Sequence, residues 1–95
     1  MSLYINEDDL ECRFEDGGSP VWEYEGRLFT GILFCNEADG TLAYEQECEN
    51  GYENGWYCSY HTNGCKDEAF KRHHNHMVAG TYKRWDEDGK LLGSM

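Results

Sequence analysis

Basic residues are scarce in this chain of 95 residues. Lys and Arg total 8 against 19 Asp and Glu, a formal net charge of −11. A field of that sign repels phosphate backbones and anionic lipid surfaces, so neither a nucleic acid nor a membrane is an expected partner. No apolar run approaches the ~20 residues of a helical membrane span. No basic segment followed by an apolar run is visible as a secretory signal, so the expectation is a cytoplasmic protein. The five cysteines, Cys12, Cys35, Cys48, Cys58 and Cys65, are odd in number and include no C-x-x-C. Reduced thiols are therefore expected, buried ones acting as small hydrophobes. Serine occurs only at 2, 19, 59 and 94, never in G-x-S-x-G, and there is no P-loop and no H-E-x-x-H. These absences predict a protein that is not an enzyme and needs no cofactor. His61, His73, His74 and His76 stand near Cys58 and Cys65, and His74 and His76 would point the same way on a strand. Yet no two-plus-two ligand spacing appears, so no metal is expected.

The charge is unevenly spread. Residues 1–65 hold 14 acidic and 2 basic side chains, and residues 66–95 hold 5 acidic and 6 basic ones. Such an excess suits a basic partner, and it equally keeps a small protein in solution.

Proline is nearly absent, at one residue, whereas glycine numbers eleven and aromatics make up 15% of the chain. Six glycines follow Asn or Asp: Asp16-Gly17, Asp39-Gly40, Asn50-Gly51, Asn54-Gly55, Asn63-Gly64 and Asp88-Gly89. Such dipeptides supply the positive φ of tight hairpin turns. Three of the pairs fall in a fixed frame. Gly31-ILFCNEAD-Gly40, Gly55-WYCSYHTN-Gly64 and Gly80-TYKRWDED-Gly89 each place eight residues between glycines, with a period of 24 and then 25. Two positions after the first glycine stand Leu33, Tyr57 and Tyr82; five after it stand Asn36, Tyr60 and Trp85. A period of this length marks stacked supersecondary units.

Each unit reads as strand, tight turn, strand, looser turn. Tyr44, Gln46 and Cys48 alternate with Glu45, Glu47 and Glu49, the period of a half-exposed strand. Leu10, Cys12 and Phe14 alternate with Glu11, Arg13 and Glu15; Trp22 and Tyr24 alternate with Val21, Glu23 and Glu25. No segment carries a helical period over ten residues. Lys66–His76 comes nearest and reads better as a strand to about Arg72 followed by a loop over His73–Ala79. The predicted fold is therefore all-β: an open, twisted antiparallel sheet of consecutive hairpins in one domain, residues 1–95. A degenerate leading hairpin covers 8–26, and repeats start near 31, 55 and 80. Turns are expected at 16–19, 39–40, 50–54, 63–64 and 88–89, with Gly40, Gly55, Gly64 and Gly89 as turn glycines. The columns two and five after glycine fall on opposite faces of an ideal strand, which requires a bulge or two partly covered faces.

The acidic rows have two readings. Glu23 with Glu25, and Glu45, Glu47 and Glu49, put like charges two residues apart on one strand face, unfavourable in isolation. They guard an exposed sheet against aggregation, or they form a platform for a basic protein.

The segment Gly26-Arg-Leu-Phe-Thr-Gly31, with the two further Gly-x-aromatic-x-x-aromatic-x-x-Asn/Asp-Gly frames, resembles the bacterial MORN-like repeat family. Gly80-TYKRWDED-Gly89-KLL carries the pattern most closely. The first frame departs from it at Asn36 and the second at Lys66. The family includes YwqK-type antitoxins, and the resemblance favours the platform reading. It implies an antitoxin or immunity protein that binds a cognate toxin domain, nuclease- or deaminase-like and basic, whose nucleic-acid groove the acidic sheet would occupy. Glu23, Glu25, Glu45, Glu47 and Glu49 would carry the charge, and Trp56, Tyr60 and Trp85 the aromatic anchors. The alternative is a non-inhibitory scaffold that joins proteins or self-associates through edge strands.

Overall fold

The computed structural model describes residues 3–15 and 17–95. Asp16, the first residue of the expected 16–19 turn, lies outside the described residues. Among the described residues the regular structure is β-strand apart from one 3-10 turn at Glu7–Asp9. The strands are β1 (Leu3–Asn6), β2 (Glu11–Phe14), β3 (Pro20–Tyr24), β4 (Arg27–Leu28), β5 (Gly31–Asn36), β6 (Leu42–Glu49), β7 (Tyr52–Tyr60), β8 (Lys66–His73), β9 (His76–Met77), β10 (Lys83–Trp85) and β11 (Leu91–Ser94). Among these residues no helix is long and apolar enough to cross a membrane.

The main sheet is open and runs β1-β5-β6-β7-β8-β10-β11, with β9 pairing β8. All its pairs are antiparallel except β1 with β5, where Leu3–Asn6 runs parallel to Gly31–Phe34. The leading hairpin exists but does not extend this sheet. β2, β3 and β4 form a separate three-stranded sheet. It is stitched to the main sheet by a short cycle of backbone bonds. Trp22 N–H donates to Gly51 O at 2.8 Å, Gly51 N–H to Phe29 O at 2.9 Å and Phe29 N–H to Trp22 O at 3.0 Å. Gly51 fits here because a Cβ would lie 2.9 Å from both Leu28 Cδ2 and Val21 Cγ1.

The three framed Asn/Asp-Gly turns, at Gly40, Gly64 and Gly89, share one geometry. Glu37 N–H donates to Thr41 O and Gly40 N–H back to Glu37 O, and the same pair of bonds recurs across His61–Cys65 and Asp86–Lys90. Gly40, Gly64 and Gly89 have φ of +90, +91 and +84°. This is a three-residue loop closed by a glycine bulge, not a two-residue turn. A register shift accompanies each one, between Cys35 and Asn36, Cys58 and Tyr60, and Arg84 and Trp85. The bulge, one of the two solutions that the columns required, is therefore present.

Some elements differ from expectation. Gly55 lies inside β7, not in a turn; its φ is +110° and a Cβ there would strike the Glu47 side chain. Glu25 is a turn residue with φ +51°, so Glu23 and Glu25 do not share a strand face. The expected loop after Arg72 is a small hairpin. His74 and Asn75 turn at φ +50 and +73°, and His73 pairs with His76 across them.

The inner face of the main sheet is the core. Phe29, Leu33 and Cys48 are its buried centre, with Ile5, Leu10, Trp22, Tyr24 and Tyr44 packed round them. Burying each large apolar side chain contributes roughly 1.5–3 kcal/mol. An aromatic row crosses the strands on this face. Tyr44 meets Tyr57 at 5.8 Å between centroids, Tyr57 meets Phe70 at 4.8 Å and Phe70 meets Tyr82 at 6.2 Å. Arg72 lies over Tyr57 and Phe70. Tyr57 and Tyr82 thus serve the repeat core.

Candidate protein-interaction face

Residues directly opposite in a ladder share a face, and successive residues alternate. Tyr44, Gln46 and Cys48 point inward, so Glu45, Glu47 and Glu49 point outward, as the alternation predicts. The register carries this outer face across the sheet: Glu45 stands opposite Cys58, Cys58 opposite Ala69, and Trp56 opposite Lys71. The three-stranded sheet packs on the inner side, leaving the outer side of β6, β7, β8 and β10 uncovered. Glu45, Glu47, Glu49, Trp56, Tyr60 and Trp85 are therefore brought to one surface. Glu23 and Glu25 are not. Glu23 sits in the small sheet, paired with Arg13 at 3.4 Å.

The carboxylates of β6 are not free rim charges. Glu45 Oε2 accepts the Tyr4 hydroxyl at 2.6 Å, and Oε1 accepts the Tyr60 hydroxyl at 2.7 Å. Glu47 Oε1 accepts the Trp56 backbone N–H at 2.8 Å. That bond has a local cause. Between Gln46 and Cys48 the ladder with β7 shifts register, which takes Trp56 out of regular pairing. A backbone group left unpaired costs as much as a lost hydrogen bond, so side chains must supply the partners. Glu47 takes the N–H, and Gln46 Nε2, on the inner side, reaches Trp56 O at 3.4 Å and Glu47 O at 2.7 Å. Gln46 is only 2% exposed, and its Oε1 has no hydrogen-bond partner. Glu49 is more loosely held, accepting from Asn54 Nδ2 at 3.2 Å. The row is thus in large part a set of acceptors that organise the sheet.

Tyrosine–carboxylate pairs recur elsewhere. Tyr44 donates to Glu7 at 2.6 Å and Tyr82 donates to Glu68. Burial, followed by the bond to Glu45, pushes the Tyr4 hydroxyl up to about 12. Tyr60 is raised for the same reasons, Tyr44 by burial and then Glu7, and Tyr82 by its bond to Glu68 and then burial. A phenolate beside a carboxylate is unfavourable, so each phenol keeps its proton.

The other half of the outer face carries cations that sequence reasoning did not place there. Lys71 Nζ lies 5.1 Å from the Trp56 ring centroid, and Lys66 Nζ 5.8 Å from that of Trp85. Lys66, Trp56 and Trp85, together with Lys83, Cys58 and Ala69, line a shallow groove of about 300 Å³. Its signal in the sequence was the basic excess after residue 65. Trp56 remains 47% exposed at the middle of the face, and Trp85 and Tyr60 are half-buried. His61 anchors the Trp85 strand from behind: its Nε2 is 2.9 Å from Trp85 O and 3.7 Å from Asp67 Oδ1.

Among the described residues no three His, Cys, Asp or Glu side chains are grouped as a metal would require. His74, one of the imidazoles considered for zinc, is instead stacked on Tyr52 at 3.9 Å. The chemistry open to this face is recognition: an apolar aromatic centre, oriented carboxylates on one flank and ammonium groups on the other. Comparison with protein-family models, with curated proteins and with solved structures finds no match.

Proposed function

We propose that the protein is a binding module of the antitoxin or immunity type, docking a toxin domain on the outer face of its main sheet. The carrying observation is Trp56, about half exposed at the centre of an uncovered sheet face between Glu47 and Lys71. Tryptophan is among the residue types enriched at the few positions that dominate binding energy in protein interfaces. The docking half would be Glu45, Glu47 and Glu49 with Trp56 and Tyr60. Tyr4 and Tyr60 hold Glu45 in place, so its charge is preorganised before a partner arrives. An excess of 19 acidic over 8 basic side chains would speed encounter with a basic toxin surface. The toxin assignment itself rests on the three glycine frames and their resemblance to MORN-like repeats. Five unbridged thiols suit a reducing, cytoplasmic setting.

The test is genetic and direct. A toxin domain encoded beside this gene should arrest growth alone and be neutralised when this protein is co-expressed. A neighbourhood with no such gene, or arrest that persists, contradicts the proposal. A non-inhibitory scaffold is the second reading. It is favoured by β11, at the end of the main sheet, where Leu91 and Leu92 are 50% and 59% exposed. A scaffold would bind its partner without changing the partner's activity.

A further inference from the structure

We infer that the outer face also pairs with the same face of a second copy of this chain, forming a two-fold dimer about Trp56. The argument is the arrangement of charge about β7. On the outer face β6 carries Glu45, Glu47 and Glu49. On the far side of β7 stand Lys71 and Lys66 of β8, and beyond them Lys83 of β10. A two-fold axis lying between two such faces and parallel to β7 exchanges the two flanks. It sets β6 of one copy over β8 of the other, and so the acidic strand over the strand that carries Lys66 and Lys71. A closed two-fold interface requires such self-complementarity, in which residue i meets j and j meets i.

The register makes the match specific. Lys71 is the ladder partner of Trp56 on one side, and Glu47 bonds the Trp56 backbone on the other. All three therefore stand at one level along the strands, so the exchange puts Glu47 of each copy opposite Lys71 of the other. Trp56 and Cys58, on β7 itself, fall beside the axis and face their own symmetry mates. The exposed indoles would bury against each other at the centre, the place where aromatic anchors concentrate in interfaces. A purely basic partner would meet lysines on the far flank of this face; a second copy meets opposite charge there, at the level of Glu47 and Lys71. The inference does not depend on the identity of the toxin. If both hold, the dimer masks the docking face and a partner must displace one copy.

The experiment is sedimentation of the purified protein alone, from micromolar to near-millimolar concentration, at low and high salt. The wild type should form a reversible dimer that weakens as salt rises. Lys71→Glu should raise the dimer dissociation constant by about tenfold or more, since it puts like charges opposite Glu47. Lys71 is exposed, and its side chain lies over the Trp56 ring, so the variant should keep the wild-type circular dichroism spectrum. An independent measurement is a short bis-maleimide cross-link, which should map to Cys58 of both copies. A wild type that stays monomeric throughout at low salt overturns the inference. So does a dimer indifferent to Lys71→Glu, or a cross-link that maps to other cysteines. None of these measurements involves a toxin, so the docking proposal can stand or fall separately.

Discussion

The hydroxyl of Tyr60 donates to Glu45 Oε1 across 2.7 Å, and Tyr4 donates to the other oxygen of the same carboxylate. One glutamate thus joins β1, β6 and β7 through side chains. Read as an outward-facing acid, Glu45 would tolerate charge reversal; bonded in this way it does not. Hydrogen bonds to a charged group are worth about 1.5–3 kcal/mol each, less where partly exposed. Glu45→Lys should therefore destabilise the fold by about 2 kcal/mol. Glu49→Lys, which loses only a long contact to Asn54, should stay within about 0.5 kcal/mol. Chemical denaturation of the two variants checks the contrast.

The same pairs predict a sensitivity to alkali. The hydroxyls of Tyr4, Tyr44, Tyr60 and Tyr82 are raised above the ordinary value of 10.0. A folded-state pKa above the unfolded one adds stability that is complete below the unfolded pKa and lost as pH rises through the folded one. Melting temperature should hold steady up to about pH 9 and fall from about pH 10 upward, through the Tyr4 value of about 12. Tyrosinate absorbance should rise with unfolding, not before it. Ordinary tyrosine titration in a protein that stays folded above pH 11 or so would contradict this.

Glycine substitutions separate two reasons for glycine. At Gly64 the φ is +91° and nothing lies within 4 Å of an added Cβ. Gly64→Ala should cost about 1 kcal/mol, from backbone conformation alone. At Gly51 the φ is +89° and a Cβ collides with Val21 and Leu28 at the junction of the two sheets. Gly51→Ala should cost more, about 2–4 kcal/mol, by adding overpacking to strain. Equal melting temperatures for the two variants would refute the distinction.

Chelation supplies a further check. The described residues include no cluster of three potential ligands, and His74 is stacked on Tyr52. Dialysis against a strong chelator should leave the melting temperature unchanged, and elemental analysis should find no stoichiometric zinc. A chelator-induced loss of structure would show a metal that the fold depends on.

Much of the fold was legible because its signals are local. Asn63-Gly64 can be read as a turn because a positive φ next to Asn has a chemical cause within two residues. The alternation of Tyr44 to Glu49 can be read because a strand has period two whatever it pairs with. The parallel pairing of Leu3–Asn6 with β5 was not legible. It depends on a partner almost thirty residues away, and four residues carry little pattern. Nor was the second sheet, since Trp22 finds Gly51 only once β7 is in place. The acidic row could be placed on the outer face, but its acceptor duties could not be foreseen, because they come from Tyr4 and Tyr60, at separations of 41 and 15 residues. The cationic flank was missed because Lys71 meets Trp56 only through the β7–β8 register.

The central claim is that the uncovered face around Trp56 is the working surface, and one titration tests it most directly. The proposed toxin partner, once identified, is titrated calorimetrically into wild type and Trp56→Ala, with the melting temperature of each recorded. The account predicts a dissociation constant raised about thirtyfold or more, the loss of a hot spot worth at least ~2 kcal/mol, with a nearly unchanged melting temperature. Equal dissociation constants for the two proteins would contradict it.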